Sequence, residues 1–434
     1  MPDDEILQVD GRPVKVTNPG KVYFPDADDG PVTKLDLVRY WIDVADAALV
    51  GCAERPAILH RFPNGVADDG FYQKRLPKGA PDWVGSTTIT FPSGRTAQMP
   101  VMADAAHLAW SATLGCLEVN PWPVRRADVD HPDELRIDLD PGPDAPFDWV
   151  RQVALVARDV LTEHELEGFP KTSGKRGIHV NVRIAPRWTF SESRRAAVAL
   201  AREIERRVPD IATSRWWKEE RHGVFIDYNQ NARDRTVASA YSVRPMPDAR
   251  VSAPIAWDEV ATVEPGAYTL RTMPGRLRTV GDPGAAIADV EPGTLEPLLT
   301  LADRQAAAGL DDAPWPPHFA KGEDEPPRVA PSRRRSSMPL IEVARAATKA
   351  EALEGLERWK VKHPSAAGHL EPADVLVDSM RGRSSTWTRI RLNLRHVPED
   401  ERPPQEELEV DYDPWEGISW DESSQDQDGG SSRS

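Results

Sequence analysis

The cleanest alternation of hydrophobic and polar positions in this chain lies in ELRIDLDP, Glu134 to Pro141. Leu135, Ile137 and Leu139 take one parity and Arg136, Asp138 and Asp140 the other. A period of two predicts a half-buried strand with both aspartates on its polar face. Toward the N-terminus, VDGRPVKVTNPGKVYFP reads as a strand pair around Asp10-Gly11, then a turn at Asn18-Pro19-Gly20, before Thr33 caps an amphipathic helix, KLDLVRYW. HLAWSATLGCLEVNPWP, from His107, predicts a buried helix leading into a strand. After the aspartate strand, a helix beginning at Asp144 or Pro146 carries apolar residues at three and four spacing and stops at Gly168. FPKTSGKRGIHVNVRIAP then gives a Gly-rich turn and a strand with Ile178, Val180, Val182 and Ile184 on one face and His179 and Asn181 on the other. A second helix, capped near Thr189 or Ser191, runs to Val208. In GVFIDYNQN the alternation sets Val224 and Ile226 against Phe225 and Asp227.

Composition narrows the class. With 434 residues, 39% hydrophobic and 29% charged, the chain can hold two or three domains, and its 41 prolines imply many loops. No apolar run approaches the roughly 18 residues of a membrane span, and MPDDEILQVDGRPVKV lacks the basic and apolar regions of a signal peptide. Only Cys52 and Cys116 are present, so neither a disulfide framework nor a zinc set of cysteine ligands is expected. A cytoplasmic protein without a membrane partner, and a monomer, is the expectation.

A net charge of −16 argues against a polyanionic partner until it is located along the chain. From Glu399 onward there are 13 acids against Arg402 and Arg433, which leaves −5 for residues 1–398. A near-neutral body with local basic clusters can hold DNA while an acidic tail stays in solvent.

Candidate chemistry starts with Asp138 and Asp140. Same-face neighbours on a strand lie about 7 Å apart at the backbone, so two carboxylates there can bridge one or two divalent cations. Alone, the pair reads equally well as two solvated acids beside the Pro141-Gly142-Pro143 turn. Asp227 is a third strand-borne carboxylate. Ser173, Gly174 and Lys175 offer backbone N–H groups, a hydroxyl and a cation to phosphate oxygens, although the full Walker frame is missing. A bland polar turn is the competing reading. Phe71 and Tyr72 interleave with Lys74, Arg75 and Lys78, a pattern suited to stacking bases and holding phosphates; equally, the rings could pack in the core with cations on the rim. Lys21 and Lys34 sit at element ends, where they are phosphate contacts or ordinary surface lysines. Gln230, Asn231, Arg233, Arg235, Ser242 and Arg244 form a polar, cationic run after Asp227.

Taken together, NPGKVYFP, GFYQKRLPKGAPDWV, LEVNPWP, RIDLDPGP, KTSGKRGIHVNV, DYNQNARDRT, YSVRP and IAWDEV, in that order, make residues 10–305 resemble the polymerase domain of bacterial end-joining ligase D. That domain is a branch of the archaeo-eukaryotic primase superfamily. The resemblance implies an α+β primase-like core of two mixed or antiparallel sheets flanked by helices. It implies that Asp138, Asp140 and Asp227 hold two Mn²⁺ or Mg²⁺ ions. It further implies that Ser173, Lys175, His179, Gln230 and Arg244 bind the triphosphate and sugar of an incoming NTP or dNTP, that Lys21 and Lys34 lie near a downstream 5′-phosphate, and that Phe71 and Tyr72 stack on template bases. The chain departs from the family pattern at Asn120, where His is common, at Tyr72 for a second Phe, at Asp234-Arg235 for Gly-Lys, and in an insertion from Pro25 to Val32.

The implied activity is template-directed nucleotidyl transfer to primer 3′ ends at DNA gaps or broken ends in non-homologous end joining. The rivals are a non-catalytic DNA-end binding or scaffolding module, against which the intact carboxylates argue, and a metal-dependent nuclease, which would not need a triphosphate turn. No KxDG adenylation motif occurs, so joining is expected from a separate ligase, with an end-binding protein as a further partner. The expected organisation is a catalytic domain over 1–309, a Pro- and Arg-rich linker over 310–337, a small α/β module over 338–420 and a disordered acidic tail over 421–434. Within the module SSTWTRIRLNLRHV reads as a cationic strand whose Arg389, Arg391 and Arg395 face DNA or simply solvent, with Trp387, Ile390, Leu392 and Leu394 as its apolar set.

Overall fold

The computed structural model describes residues 4–310, 312–316, 319, 339–381 and 386–413. Most of the expected linker, Arg333 to Arg335 included, and the whole of the acidic tail 421–434 lie outside the described residues. The chain forms two compact units, Met1–Arg328 and Val329–Ser434. The first is α+β, as the sequence predicts.

Its main sheet has five strands, in the order Gly168–Thr172, Ile178–Arg183, Glu134–Pro141, Val224–Ile226 and Ala212–Thr213. All neighbours are antiparallel except the last pair. The helices Phe147–Glu163 and Phe190–Arg207 supply Val150, Val153, Ala157, Leu200 and Ile204 to a core shared with Leu135, Ile137 and Leu139. Thr189 and Glu192 close the second helix with a capping box, satisfying its first N–H groups. The first helix stops earlier than its apolar spacing suggests. Its last residue is Glu163, Glu165 turns the chain at φ 59°, and Gly168 opens the next strand instead of ending the helix. A side chain at Gly168 would collide with Val180 and Leu161, so packing rather than helix termination requires glycine there.

A second sheet orders Phe71–Gln73, Ala57–Arg61 and Cys116–Pro121. It shares a core with the helices Lys34–Asp43 and Ala105–Thr113. The hairpin of Glu5–Val9 and Arg12–Val16 turns at Asp10 and Gly11, both at positive φ, which a two-residue hairpin of this twist demands. The Pro25–Val32 insertion is the tip of another hairpin, with Val22 opposite Thr33 and Phe24 opposite Val32. Its Ala27 and Val32 are buried and Arg271 holds the Gly30 and Pro31 carbonyls, and it leaves Lys21 beside Lys34, whose N–H donates to the Lys21 carbonyl at 2.8 Å.

Buried charges and one extended segment join the two sheets. Arg136 donates to the Pro121 carbonyl at 2.7 Å and to Glu134 at 2.6 Å, and Arg55 pairs with Asp133 and Glu134. Between Ser239 and Ile255 the backbone bonds to Leu117 and Val119 of one sheet and to Pro170 and Thr172 of the other.

The second unit is a four-stranded sheet in the order Val375–Arg381, Thr386–Asn393, Leu340–Ala346 and Val410–Asp411, packed on helix Lys349–Lys362. Thr388, Ile390, Leu392 and Leu394 are buried. Trp387 therefore falls on the arginine face by strand parity, not with the apolar set to which it was assigned. Arg389 and Arg391 bond to Asp378 on the adjacent strand, and Arg395 lies 2.8 Å from the buried Asp374, so acids offset the expected cationic face.

Arg136→Met should strand Glu134 in the interior with a weakened set of partners. The expected loss is about 3 kcal/mol, measurable as a lower urea midpoint with an unchanged slope.

Candidate functional site

Asp138 and Asp140 stand two residues apart on the central strand, and the Asp227 N–H donates to the Asp138 carbonyl at 2.9 Å. Asp227 lies just beyond the Val224–Ile226 strand, at the start of the turn Tyr228–Asn231, where its carboxylate accepts from the Asn229 N–H at 3.0 Å. Gln230, which the resemblance implies at the nucleotide, spans two of the acids: Nε2 lies 3.1 Å from Asp138 Oδ2 and 3.2 Å from Asp227 Oδ2. Burial, then the charges of Asp140 and Asp227, pushes the Asp138 carboxyl up to about 8. Burial also raises Asp140 and Asp227, against the pull of Arg221.

Three mutually repelling carboxylates, bridged by a neutral amide, make a hard oxygen donor set that fits Mg²⁺ or Mn²⁺. Among the described residues, the group whose ligand atoms all fall within 4.8 Å is a different one, Glu371, Asp374 and His396 in the second unit. The acids of the second unit already face Arg395 and His396.

The turn after Gly168–Thr172 borders the same site. Ser173 Oγ accepts from the Lys175 and Gly177 N–H groups at 3.1 and 3.0 Å, which folds the loop tightly. Gly174 has φ 68°, and a Cβ there would lie 2.5 Å from Arg244 Cγ and 2.9 Å from the Val251 backbone. Only glycine lets Arg244 cross the turn at that point. Arg244 pairs with buried Glu118 at 3.1 Å, and burial followed by Arg244 lowers the pKa of Lys175. His179 Nε2 faces Asp138 Oδ1 at 3.3 Å. Burial and the cations Lys171, Arg244 and Arg136 hold its pKa well below the usual imidazole range, so it is neutral. Ser173, Gly174, Lys175, His179 and Arg244 thus gather around the aspartates.

The expected DNA contacts divide. Lys34 is buried, its Nζ bonded to Thr17, and Lys21 Nζ holds the Pro63 carbonyl and Asn64. Burial first, and then Lys21, lowers Lys34, with Arg61 acting in the same direction; the three cations share one corner. Phe71 and Tyr72 are 46% and 61% exposed. As consecutive strand residues they point to opposite faces, so they cannot form one stacking platform. Tyr72 lies flat on His60 at 4.0 Å, and Phe71 sits under Arg61 at 5.2 Å. Lys74, expected to hold phosphate, is taken by both oxygens of Asp234, at 2.7 and 2.9 Å. Asp234 has φ 64°, which explains why glycine suits the position when no ion pair is made there.

Sequence reasoning missed Glu118, His60, Lys171 and Arg221. Glu118 sits between His60, at 2.8 Å, and Arg244, and its place in LEVNPWP was the available signal. Arg221 lies over the Phe225 ring, within electrostatic reach of Asp140 and Asp227. Asn120, where the family commonly has His, is buried with its amide turned toward the Ile58 and Glu118 carbonyls.

The family model for the LigD primase-polymerase domain matches residues 33–284, more than half of the chain. The chain belongs to this family. It is 34% identical over 272 residues to the multifunctional non-homologous end joining protein LigD of Mycolicibacterium smegmatis, a match covering 62% of this chain and 35% of that protein. A similar match, 30% identical over 254 residues, covers 58% of the chain and 41% of the bifunctional LigD of Bacillus subtilis. The chain thus spans little more than a third of the length of these relatives. The LigD fold recurs in the polymerase domain of Mycobacterium tuberculosis ligase D in complex with DNA, with TM-score 0.60 and 31% identity over 64% of this chain and 99% of that structure. No helix among the described residues is long and apolar enough to cross a membrane.

In the metal-free LigD-type site Asp138 keeps its proton to about pH 8, whereas an unfolded aspartate loses it near pH 4. Between those values the folded state binds the extra proton, so stability falls as pH rises. Asp138→Asn removes this cost. In metal-free thermal melts it should exceed the parent in Tm by a margin that widens from about pH 5 to about pH 8; a margin independent of pH would count against the raised carboxyl.

Proposed function

We propose that the chain is a template-directed nucleotidyltransferase that extends primer 3′ ends at gaps or broken DNA ends in end-joining repair. The observation that carries this reading is the convergence of Asp138, Asp140 and Asp227 with the Ser173–Lys175 turn, His179 and Arg244 at one end of the central strands of the main sheet. A nuclease could use the acids but has no use for the turn. A non-catalytic end-binding module has no use for the acids, which repel one another until cations arrive.

Asp138, Asp140 and Asp227 would hold two divalent ions. When bound, these supply the Lewis acidity that eases loss of the 3′-hydroxyl proton and stabilises the departing pyrophosphate. The protein's own groups do the rest. Lys175 and Arg244 place positive charge where the phosphates gain negative charge, and neutral His179 contributes an N–H rather than a charge. Gly174 lets the Arg244 side chain cross the turn. Gln230, by bridging Asp138 and Asp227, keeps the two carboxylates oriented before loading. The cation corner of Lys21, Lys34 and Arg61 fits a 5′-phosphate on the downstream side of a gap. The tuberculosis polymerase domain has been seen with DNA, and DNA is the partner proposed here, with NTP or dNTP as co-substrate. A ligase and an end-binding protein would complete the repair.

Labelled primer-template with Mn²⁺ and single nucleotides tests the reading. The parent should extend the primer, and Asp138→Ala/Asp140→Ala should lose at least about a thousandfold in rate; a double variant as fast as the parent sinks the assignment. Removing the 5′-phosphate from a gapped substrate should weaken binding to the parent, and Lys21→Ala should erase that difference. Asp234→Gly should release Lys74, tightening DNA binding and steepening its log-log salt dependence by about one.

A further inference from the structure

Lys171 opens the KTSGK stretch and is 3% exposed. It stands directly across the strand pair from His179, which in turn stands directly across from Asp138. The three side chains therefore form a row over three adjacent strands. Lys171 Nζ meets three groups at 2.8 Å each: the Ala238 carbonyl, Ser252 Oγ and His179 Nδ1.

The donors and acceptors along this row can be assigned from both ends. Burial first, then Arg244, lowers the Lys171 pKa to about 7; in the ammonium form, present below that pH, the lysine has three protons and no lone pair. The Ala238 carbonyl can only accept. Ser252 gives its own proton to the Thr172 carbonyl at 2.7 Å, so toward Lys171 it accepts as well. The third ammonium proton is left for His179 Nδ1, which must present its lone pair. At the far side of the ring, Nε2 faces Asp138 Oδ1. In the ionised form that holds a cation, Asp138 offers only lone pairs, so Nε2 must carry the ring proton. Both ends require the same tautomer.

We propose that Lys171 is a positioning residue that locks His179 as the Nε2–H tautomer, with that N–H aimed at the carboxylate and phosphate side of the site. The opposite tautomer would set a nitrogen lone pair against Asp138 and against any phosphate oxygen. The charges around Lys171 are Arg244, Arg136, Glu134 and Asp138, and none of these bonds to Nδ1 in its place. The consequence for nucleotide binding rests on the polymerase reading; the tautomer itself does not.

The full chain, labelled with ¹⁵N-histidine and assigned with His179→Gln, tests this at about pH 6, below the lowered Lys171 pKa, in the presence of Mg²⁺ and a non-hydrolysable nucleoside triphosphate. The parent should show a protonated-type Nε2 and an unprotonated-type Nδ1 at His179. Lys171→Met should mix the tautomers and weaken triphosphate binding about tenfold, the equivalent of one hydrogen bond. Lys171→Gln, which restores an N–H donor without charge, should recover the tautomer and most of the affinity. The proposal is overturned by a parent ring protonated on Nδ1, by a Lys171→Met protein with the parent's tautomer, or by a glutamine variant as impaired as the methionine one. If Lys171→Met does not fold, the parent spectrum alone decides. A parent with the stated tautomer that extends no primer would sink the polymerase reading and leave the Lys171 assignment standing.

Discussion

Everything at this site follows from the repulsion among three carboxylates that the fold holds close together. Burial and the fields of Asp140 and Asp227 raise Asp138 to about 8. Nothing in the sheet neutralises it directly, since its nearest polar partners are the Gln230 amide and a neutral imidazole. Arg221 and Lys175 moderate Asp140 from farther away. The folded chain therefore carries an electrostatic cost that a proton on Asp138 relieves up to about pH 8 and that divalent cations would relieve in its place. A purely structural acidic strand would instead have arginines in contact, as Asp133 and Glu134 do at the other end of the same strand.

That contrast along one strand shows how the fold sustains the cost. The Asp133–Arg136 end is a closed network of buried pairs that ties the main sheet to the second one, whereas the Asp138–Asp140 end opens toward the phosphate turn. The Ser239–Ile255 segment, bonded to strands of both sheets, brings Arg244 over Gly174. The buried pairs and backbone bonds thus lie behind the aspartates and the turn, where they would pre-organise the proposed site.

The central strand, the capped helices and the Asp10-Gly11 hairpin were legible in the sequence because each is set by local rules: a period of two, a capping box, a turn that needs positive φ. The gathering of Asp227 with Asp138 and Asp140 was legible only as far as strand parity and the family resemblance carried it. The rest depended on contacts between residues distant in sequence. Nothing near Lys74 announces that Asp234, 160 positions away, will bind it. Gln230 sits in a polar run that reads as nucleotide-binding, yet a tight turn swings its amide back onto the aspartates. Phe71 and Tyr72 were treated as a pair because both are aromatic, although the strand's pleat separates them. Lys171 looked like an ordinary lysine before a turn; only its burial and its cross-strand position against His179 give it a role.

The same long-range pairing bears on how a chain of net charge −16 would engage the polyanion proposed as its partner. Several cations that the sequence offers to DNA already have acids or carbonyls: Lys74 with Asp234, Arg244 with Glu118, Arg176 with the carbonyls of Gly142, Pro143 and Ala145, and Arg389 and Arg391 with Asp378. A phosphate arriving at such a residue must displace a partner, so its net gain is smaller than the count of basic residues suggests. The exchange is favourable where the existing cost is highest, at the crowded aspartates and at the crowded cations Lys21, Lys34 and Arg61. Ions, if loaded as proposed, would relieve the first cluster and a phosphate the second. On the proposed reading, selection of a gapped or broken end would rest on two clusters of opposite sign at separate places on the first unit, not on a uniformly positive surface.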